Sequence, residues 1–415
     1  MKNKLLLPLI NKLEVAICIL LIIIIEPLSL PSILENITSI ISYGFLFIII
    51  VMRGKKLFYT ATIDISFILL LFIVCFSFFW SENPSESIYQ SRLLLRSTLF
   101  AVYFAMQYPP EEQIKLLSWA TGIIMILSYG NSILFPSSGT QFINGSIAWS
   151  GIYTHKQILG RQMGIAALSF IFHILNKKLN KLIIATGLFF SVAIILLSQS
   201  KSGLLIILFS ILIMPIYKFI VKQKNNRLLF SLILFLFVSI ISCLVFFNIE
   251  YILVDFWGKD LEFNGRLPLW QLCFDKISEQ PWLGYGYRGF WNSSAGNYVL
   301  SNSWAALLPE FQEGNINFHA HNGFIDILLE IGSLGLLTFF IHFCQSLKKI
   351  IDLLIYSRDR EFFWMLQICC LLWITNLTES NILFSSNSLI WFLYVSTVLS
   401  AAVQYKRLKN IQKYS

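Results

Sequence analysis

The stretch that decides how this chain is read covers residues 264–335. It runs NGRLPLW (264–270), then PWLGYGYRGFW (281–291), FHAHNG (318–323) and FIDILLEIGSLG (324–335). It leads from a long polar segment straight into an apolar run that carries two acids of its own, Asp326 and Glu330. His319, His321, Arg266 and Arg288 stand there among closely set tryptophans and tyrosines. Ionisable groups gathered at the mouth of a bilayer-length apolar run point to a site at a membrane surface.

Outward from this stretch the chain is greasy almost throughout. Of its 415 residues 56% are hydrophobic and 13% charged, against roughly 45–50% and 25% in soluble domains. Apolar runs of about 20 residues, long enough to cross a bilayer, recur along the whole length. Cut at their charged or proline-containing ends, they predict about twelve spans: 13–32, 37–52, 64–80, 91–107, 116–134, 163–176, 182–198, 203–221, 228–248, 323–345, 363–378 and 388–405. The expected fold is an all-α integral membrane protein with one large extracytoplasmic loop. A membrane part at 1–248 would precede the loop at 249–322, and a second membrane part would follow at 323–415. The first run lacks a small-residue cleavage site and reads as a retained span.

Lysine and arginine set the orientation. With the N-terminus in the cytoplasm, the outer side keeps Arg92, Arg96, Lys156, Arg161, Lys201, Lys259, Arg266, Lys276 and Arg288. The rest of the 31 basic residues fall inside. Both termini are then cytoplasmic and the long loop faces outward. The net charge of +9 is this topological bias and no nucleic-acid footprint. Six of the seven cysteines lie in apolar runs, with Cys273 alone in the loop, so a disulfide framework is not expected. Neither GxxxxGK[ST] nor GxGxxG occurs, and no nucleotide module or other cofactor is expected.

Five stretches could carry chemistry. THKQILGRQ (154–162) holds Lys156 and Arg161, and SQSKSG (198–203) places Lys201 at a break between apolar runs. Both present cations on the side where cations are scarce, which suits a bound phosphate; snorkelling or loop ion pairs account for them equally. Arg266 opens a ridge of Leu267, Leu269, Trp270, Phe274 and Ile277 at helical spacing, a short amphipathic helix that Pro281 ends. In FHAHNG, Asn322 reads as the N-cap of the tenth span, with His321 at its mouth. Asn322, Asp326 and Glu330 share one helix face and must meet a cavity or a partner. His319 and His321 have a spacing that suits metal, but no further Cys/His cluster supports a zinc set, so the site is read without metal. A neutral imidazole held by a carboxylate would serve as general base for a hydroxyl. TNLTESN (375–381) offers Glu379 and Asn381 to the same cavity, or a polar turn.

These stretches, in this order, resemble the O-antigen ligase and polymerase superfamily, and within it the branch of exopolysaccharide-production polymerases. The resemblance covers 150–385 and rests on GR-x-x-x-W, P-x-x-G-x-G and HNG-x-x-D-x-x-x-E-x-G. It implies a lipid-donor (GT-C-like) glycosyltransferase of the bacterial plasma membrane. Such an enzyme takes glycan from an undecaprenyl-diphosphate carrier and passes it to another glycan or to lipid A-core, without metal or nucleotide sugar. Its expected partners include a chain-length regulator and other envelope-assembly proteins. By position, Arg266 matches the arginine that holds the diphosphate and His321 the histidine that activates the acceptor. Lys201 stands where many members have arginine, so the bidentate fork is lost there; Arg161 or Lys156 would compensate. His319, Asn322, Asp326, Glu330, Arg288 and Glu379 would support the site. A transporter is the alternative from another class, but the two related halves expected of one are not visible.

Overall fold

The computed structural model describes residues 2–29, 32–143, 145–176, 180–214, 217, 265–307, 318–383 and 388–414. The ninth predicted span (228–248) and the start of the long loop (249–264) lie outside these residues.

The chain is built of helices, as a bilayer demands of backbone that must satisfy its own hydrogen bonds. They are α1 (Lys2–Ile23), α2 (Ser32–Ala61), α3 (Ile65–Phe76), α4 (Pro84–Gln107), α5 (Pro110–Leu134), α6 (Lys156–Asn176), α7 (Lys181–Leu197) and α8 (Lys201–Leu212). After the long loop begins come α9 (Arg266–Glu279), α10 (Ser294–Ser301), α11 (Gly323–Ser357), α12 (Arg360–Asn376) and α13 (Leu389–Tyr414). Four stretches among the described residues are long and apolar enough to span: Asn36–Ala61, Pro110–Leu134, Gly323–Ser357 and Leu389–Gln412. The protein is a mostly helical multi-pass membrane bundle, and four of the twelve expected spans meet that standard. Helices α4 and α6 carry polar groups such as Arg96 and Arg161 inside their length, which lowers their mean hydropathy.

Several helices outrun the apolar runs that predicted them. Helix α2 continues to Ala61 through a kink at Arg53 (φ −132°), where Arg53 forks onto Glu14 at 2.6 and 3.1 Å. Helix α11 continues to Ser357, with Lys349 paired to Asp64 at 2.5 Å. Charged ends that find partners can prolong a helix past its greasy part. A second departure from the all-α expectation is a hairpin of β1 (Thr140–Ile143) and β2 (Ser146–Trp149), antiparallel with Thr140 opposite Trp149. It lies in a short linker where hydropathy carries no signal.

Two cores hold the molecule. The larger runs through the bundle, where Trp391, Phe392 and Tyr394 of α13 are fully buried and Phe392 stacks on Phe100 of α4 at 4.9 Å. The smaller gathers Leu269, Cys273, Phe290, Trp291, Val299 and Leu300 with Ile325 and Leu329. It forms a roof over the start of α11, pinned to the neighbouring helices by bonds such as Trp80 Nε1 to Leu283 O (2.9 Å) and Tyr287 OH to Leu383 O (2.5 Å). The predicted amphipathic helix α9 is part of this roof, but its ridge is divided. Leu269 and Cys273 are buried and Trp270 and Ile277 half-buried, whereas Leu267 and Phe274 face outward. The helix packs its lower face on protein, so only part of the ridge remains for a membrane surface.

Candidate active site

The mouth of α11 is held with unusual rigour. Asn322 is its N-cap as predicted, Oδ1 accepting from the N–H of Phe324 and Ile325 at 3.0 and 3.3 Å. Gly323 follows because a Cβ there would lie 2.1 Å from Asn376 Oδ1. Just upstream, the Ala320 N–H donates to both oxygens of Asp326 (3.0 and 3.1 Å), and Ala320 O accepts from Trp270 Nε1 (2.8 Å). Between these fixed points His321 takes the left-handed conformation (φ 53°), which a non-glycine residue adopts only under constraint.

Around that imidazole the structure assembles Glu379, His319 and Arg266. His319 Nε2 lies 3.4 Å from Glu379 Oε2, and His321 Nδ1 lies 4.0 Å from the same oxygen. The two imidazole rings are 4.3 Å apart. Arg266, the first residue of α9, donates from Nη1 to Thr378 O at 3.1 Å. Its guanidinium therefore sits beside the residue preceding Glu379. Trp304 and Phe318 wall the site, 6.0 and 5.9 Å from the His321 ring.

The electrostatics are asymmetric. Burial pushes His321 down, and the neighbouring His319 and Arg266 push it further, to about 3 despite Glu379. Its imidazole is therefore neutral near pH 7. Burial alone would raise Glu379, but the hydrogen bond from His319 and the charges of Arg161, His319 and His321 outweigh it and hold the carboxyl at about 2. Burial also lowers Arg266 from its ordinary value, against the pull of Glu379. One anion thus sits among several cationic or potentially cationic groups.

Arg161 connects this cluster to the bundle, within electrostatic reach of both Glu379 and Glu26. Glu26 follows α1, is 6% exposed, and accepts from the Leu389 N–H that opens α13 at 2.9 Å. Lys156 and Lys201 begin the adjacent helices α6 and α8. These are tied together where Gln157 Oε1 accepts from Ser200 and Ser202 Oγ at 2.9 and 3.2 Å. Lys201 is exposed.

Three expected supporting residues, Asp326, Glu330 and Arg288, are engaged by protein partners. Asp326 is turned onto Ala320, Trp291 Nε1 (3.0 Å) and Ser380 Oγ. Glu330 meets Arg288 at 3.9 Å within the protein. Their helix face meets a partner, the 281–291 segment, and the carboxylate beside the imidazoles is Glu379. Helix α11 is itself broken at Gly332 (φ 65°, ψ −169°), where a Cβ would come within 2.3 Å of Trp282 backbone. Ser333 and Leu334 N–H there bond Pro281 and Trp282 O, and Tyr285 N–H bonds Leu329 O at 2.7 Å. The loop backbone replaces helix hydrogen bonds.

No further Cys/His cluster in the sequence offered a third metal ligand beside the two histidines. The structure supplies one: donor atoms of His319, His321 and Glu379 lie within 4.8 Å of one another. The same trio can equally bind a divalent cation or pass a proton. Glu26 was missed in the sequence; its signal was a lone carboxylate before Pro27 at the end of a long apolar run.

Comparison with known proteins bears on which chemistry applies. Residues 186–340 match the family described as O-antigen ligase, a range that includes Lys201, Arg266 and His321. The chain is also 26% identical over 322 residues to "Exopolysaccharide production protein ExoQ" of Rhizobium meliloti (strain 1021), covering 74% of this chain and 70% of that protein. Residues 186–340 thus resemble an O-antigen ligase domain, and the chain as a whole resembles an exopolysaccharide production protein.

Proposed function

We propose that this protein is an inner-membrane glycosyltransferase of the O-antigen ligase and polymerase kind that it resembles. In this reading it transfers glycan from an undecaprenyl-diphosphate-linked donor to a hydroxyl acceptor and polymerises exopolysaccharide or O-antigen repeat units. The observation that carries the reading is the meeting of a neutral His321, an ionised Glu379 and the Arg266 guanidinium at the mouth of α11.

The mechanism follows from these positions. The acceptor hydroxyl gives its proton to His321 as its oxygen bonds the anomeric carbon. The bond from that carbon to the diphosphate oxygen breaks, and prenyl diphosphate leaves. Nδ1 is the nitrogen turned toward Glu379, which leaves Nε2 to take the proton. Arg266, with Arg161, Lys156 and Lys201, neutralises the diphosphate. The low basicity of His321 is no obstacle, because a bound diphosphate adds negative charge beside the imidazole and favours its protonated form. Glu379 stabilises the imidazolium as it forms, as a carboxylate does for histidine in a hydrolase triad. Nothing in these steps requires a metal. The segment 249–322 then serves as the extracytoplasmic catalytic loop between membrane parts 1–248 and 323–415, with both termini cytoplasmic.

Deletion of the gene, followed by analysis of surface glycan, tests the reading. Loss of long chains with single repeats still transferred to their acceptor supports a polymerase. Accumulation of long chains on the lipid carrier indicates a ligase, and unchanged glycan sinks both.

A further inference from the structure

His319 and His321 enter the candidate site from one turn before α11, and Glu379 enters it from the residues after α12. One buried carboxylate holds both arms. Asp326 accepts from the Ala320 N–H, between the two histidines, and from Ser380 Oγ, next to Glu379. With the left-handed backbone at His321 (φ 53°), this fixes where the three side chains start. All three are partly exposed, so an ion from outside reaches the point between them with small side-chain movements.

Their donor atoms surround a point and do not form a pair. His319 Nε2 and His321 Nδ1 lie 3.4 and 4.0 Å from the same Glu379 Oε2, and all three atoms fall within 4.8 Å of one another. The first contact is long for a charge-assisted hydrogen bond, which runs at about 2.7–2.9 Å. His321 Nδ1 is buried and has no hydrogen-bond partner among the described residues. Bonds of about 2.0–2.2 Å from a tetrahedral Zn²⁺ hold its ligand atoms roughly 3.3–3.6 Å apart. One separation already fits, and the others close by rotation of side chains that have room to move. Two imidazoles and one carboxylate make an open zinc set, with a fourth position left for water. They suit Mg²⁺ and Ca²⁺ poorly, since those ions take oxygen ligands. Arg266 and Arg161, within electrostatic reach, oppose a dication and make this a site that fills and empties.

We propose that His319, His321 and Glu379 bind a Zn²⁺-type cation that switches transfer off, an inference that rests on the reading of His321 as the base. Metal on Nδ1 of a neutral imidazole leaves the ring's single proton on Nε2, the nitrogen assigned above to take the acceptor's proton. No ring lone pair then remains for the hydroxyl. The cation also engages Glu379, which no longer stabilises an imidazolium. It is an occupant that stops the reaction and no cofactor of it.

The test uses purified full-length protein in detergent, its affinity tag removed, stripped with EDTA and then freed of chelator. Zn²⁺, Co²⁺ and Mg²⁺ are titrated in separately by calorimetry, with Co²⁺ also followed by the visible absorption of tetrahedral coordination. Transfer from a prenyl-diphosphate donor is measured before and after each addition. Wild type should bind one Zn²⁺ or one Co²⁺ per chain, and Mg²⁺ at least a hundredfold more weakly. His319→Gln and Glu379→Gln should each lose tenfold or more in Zn²⁺ affinity, and either decides if the other fails to fold. Bound Zn²⁺ should lower the wild-type kcat tenfold or more with donor KM within a few-fold, and EDTA should restore it. In either variant the same Zn²⁺ concentration should change its own metal-free rate by less than twofold. The proposal is overturned if wild type binds no Zn²⁺, if both substitutions leave the affinity unchanged, or if bound Zn²⁺ leaves transfer unchanged or speeds it. A metal-free wild type that transfers nothing would sink the transfer reading and the switch with it, while the binding titration still decides the cation site.

Discussion

Glu379 Oε2 stands 4.0 Å from His321 Nδ1. The contact exists because α11 and α12 form an antiparallel pair, so the residues after α12 return to the mouth of α11. If the carboxylate stabilises the imidazolium formed during transfer, Glu379→Gln should lower kcat by about 10–100-fold while leaving donor KM within a few-fold. A kcat/KM loss carried wholly by KM would make Glu379 a binding group instead.

Stability should depend on acid in a defined direction. His321 is held at about 3 in the folded protein, below its ordinary value near 6.5. The unfolded chain therefore binds the extra proton first, and stability should fall as pH drops from 6.5 toward 3. Glu379, held at about 2 against an ordinary value near 4.5, adds stability that is present above 4.5 and lost as pH falls through 2. Melting temperature in detergent across pH 4–8 measures this, and His321→Gln should flatten the slope between 6.5 and 4.5. An unchanged slope would mean that His321 is not the buried neutral group.

Arg266 tests the geometry of phosphate binding. One of its nitrogens already bonds Thr378 O at 3.1 Å, so its fork is aimed by the protein before substrate arrives. Arg266→Lys keeps the charge but loses the planar fork, and kcat/KM should fall on the order of 10²-fold, roughly 2.7 kcal/mol of transition-state stabilisation. Steady-state transfer rates with a prenyl-diphosphate donor would show it.

Asp326 should matter for folding more than for chemistry. Its carboxylate accepts from Ala320 N, Trp291 Nε1 and Ser380 Oγ in a site 5% exposed. Asp326→Asn sets an N–H against one of these donors, and a buried group left unsatisfied costs about 1–3 kcal/mol. The melting temperature should fall, and the folded fraction should retain measurable transfer activity.

Much of this was legible in the residues themselves. Asn322 declared its cap because an amide before a long apolar run has few other uses there, and Arg266 marked the start of α9 through apolar spacing. What could not be read was pairing across the fold. Asp326 and Glu330 share a helix face with Asn322, which suggested acids beside the imidazole. Yet the 281–291 segment takes both, and Glu379 arrives from a turn whose local sequence reads equally as a polar cap. Nor does hydropathy register the break at Gly332, since a glycine inside an apolar run looks the same whether a helix passes through it or another backbone is wedged against it.

The central claim is that His321 removes the acceptor proton while other groups hold the donor. It is tested most directly with purified His321→Gln, a prenyl-diphosphate oligosaccharide and its acceptor, in buffer containing excess EDTA. Donor binding should stay within a few-fold of wild type, product should be undetectable, and wild type should turn over unimpeded by the chelator. Product formed by His321→Gln at the wild-type rate, or a wild type silenced by EDTA, would contradict the account.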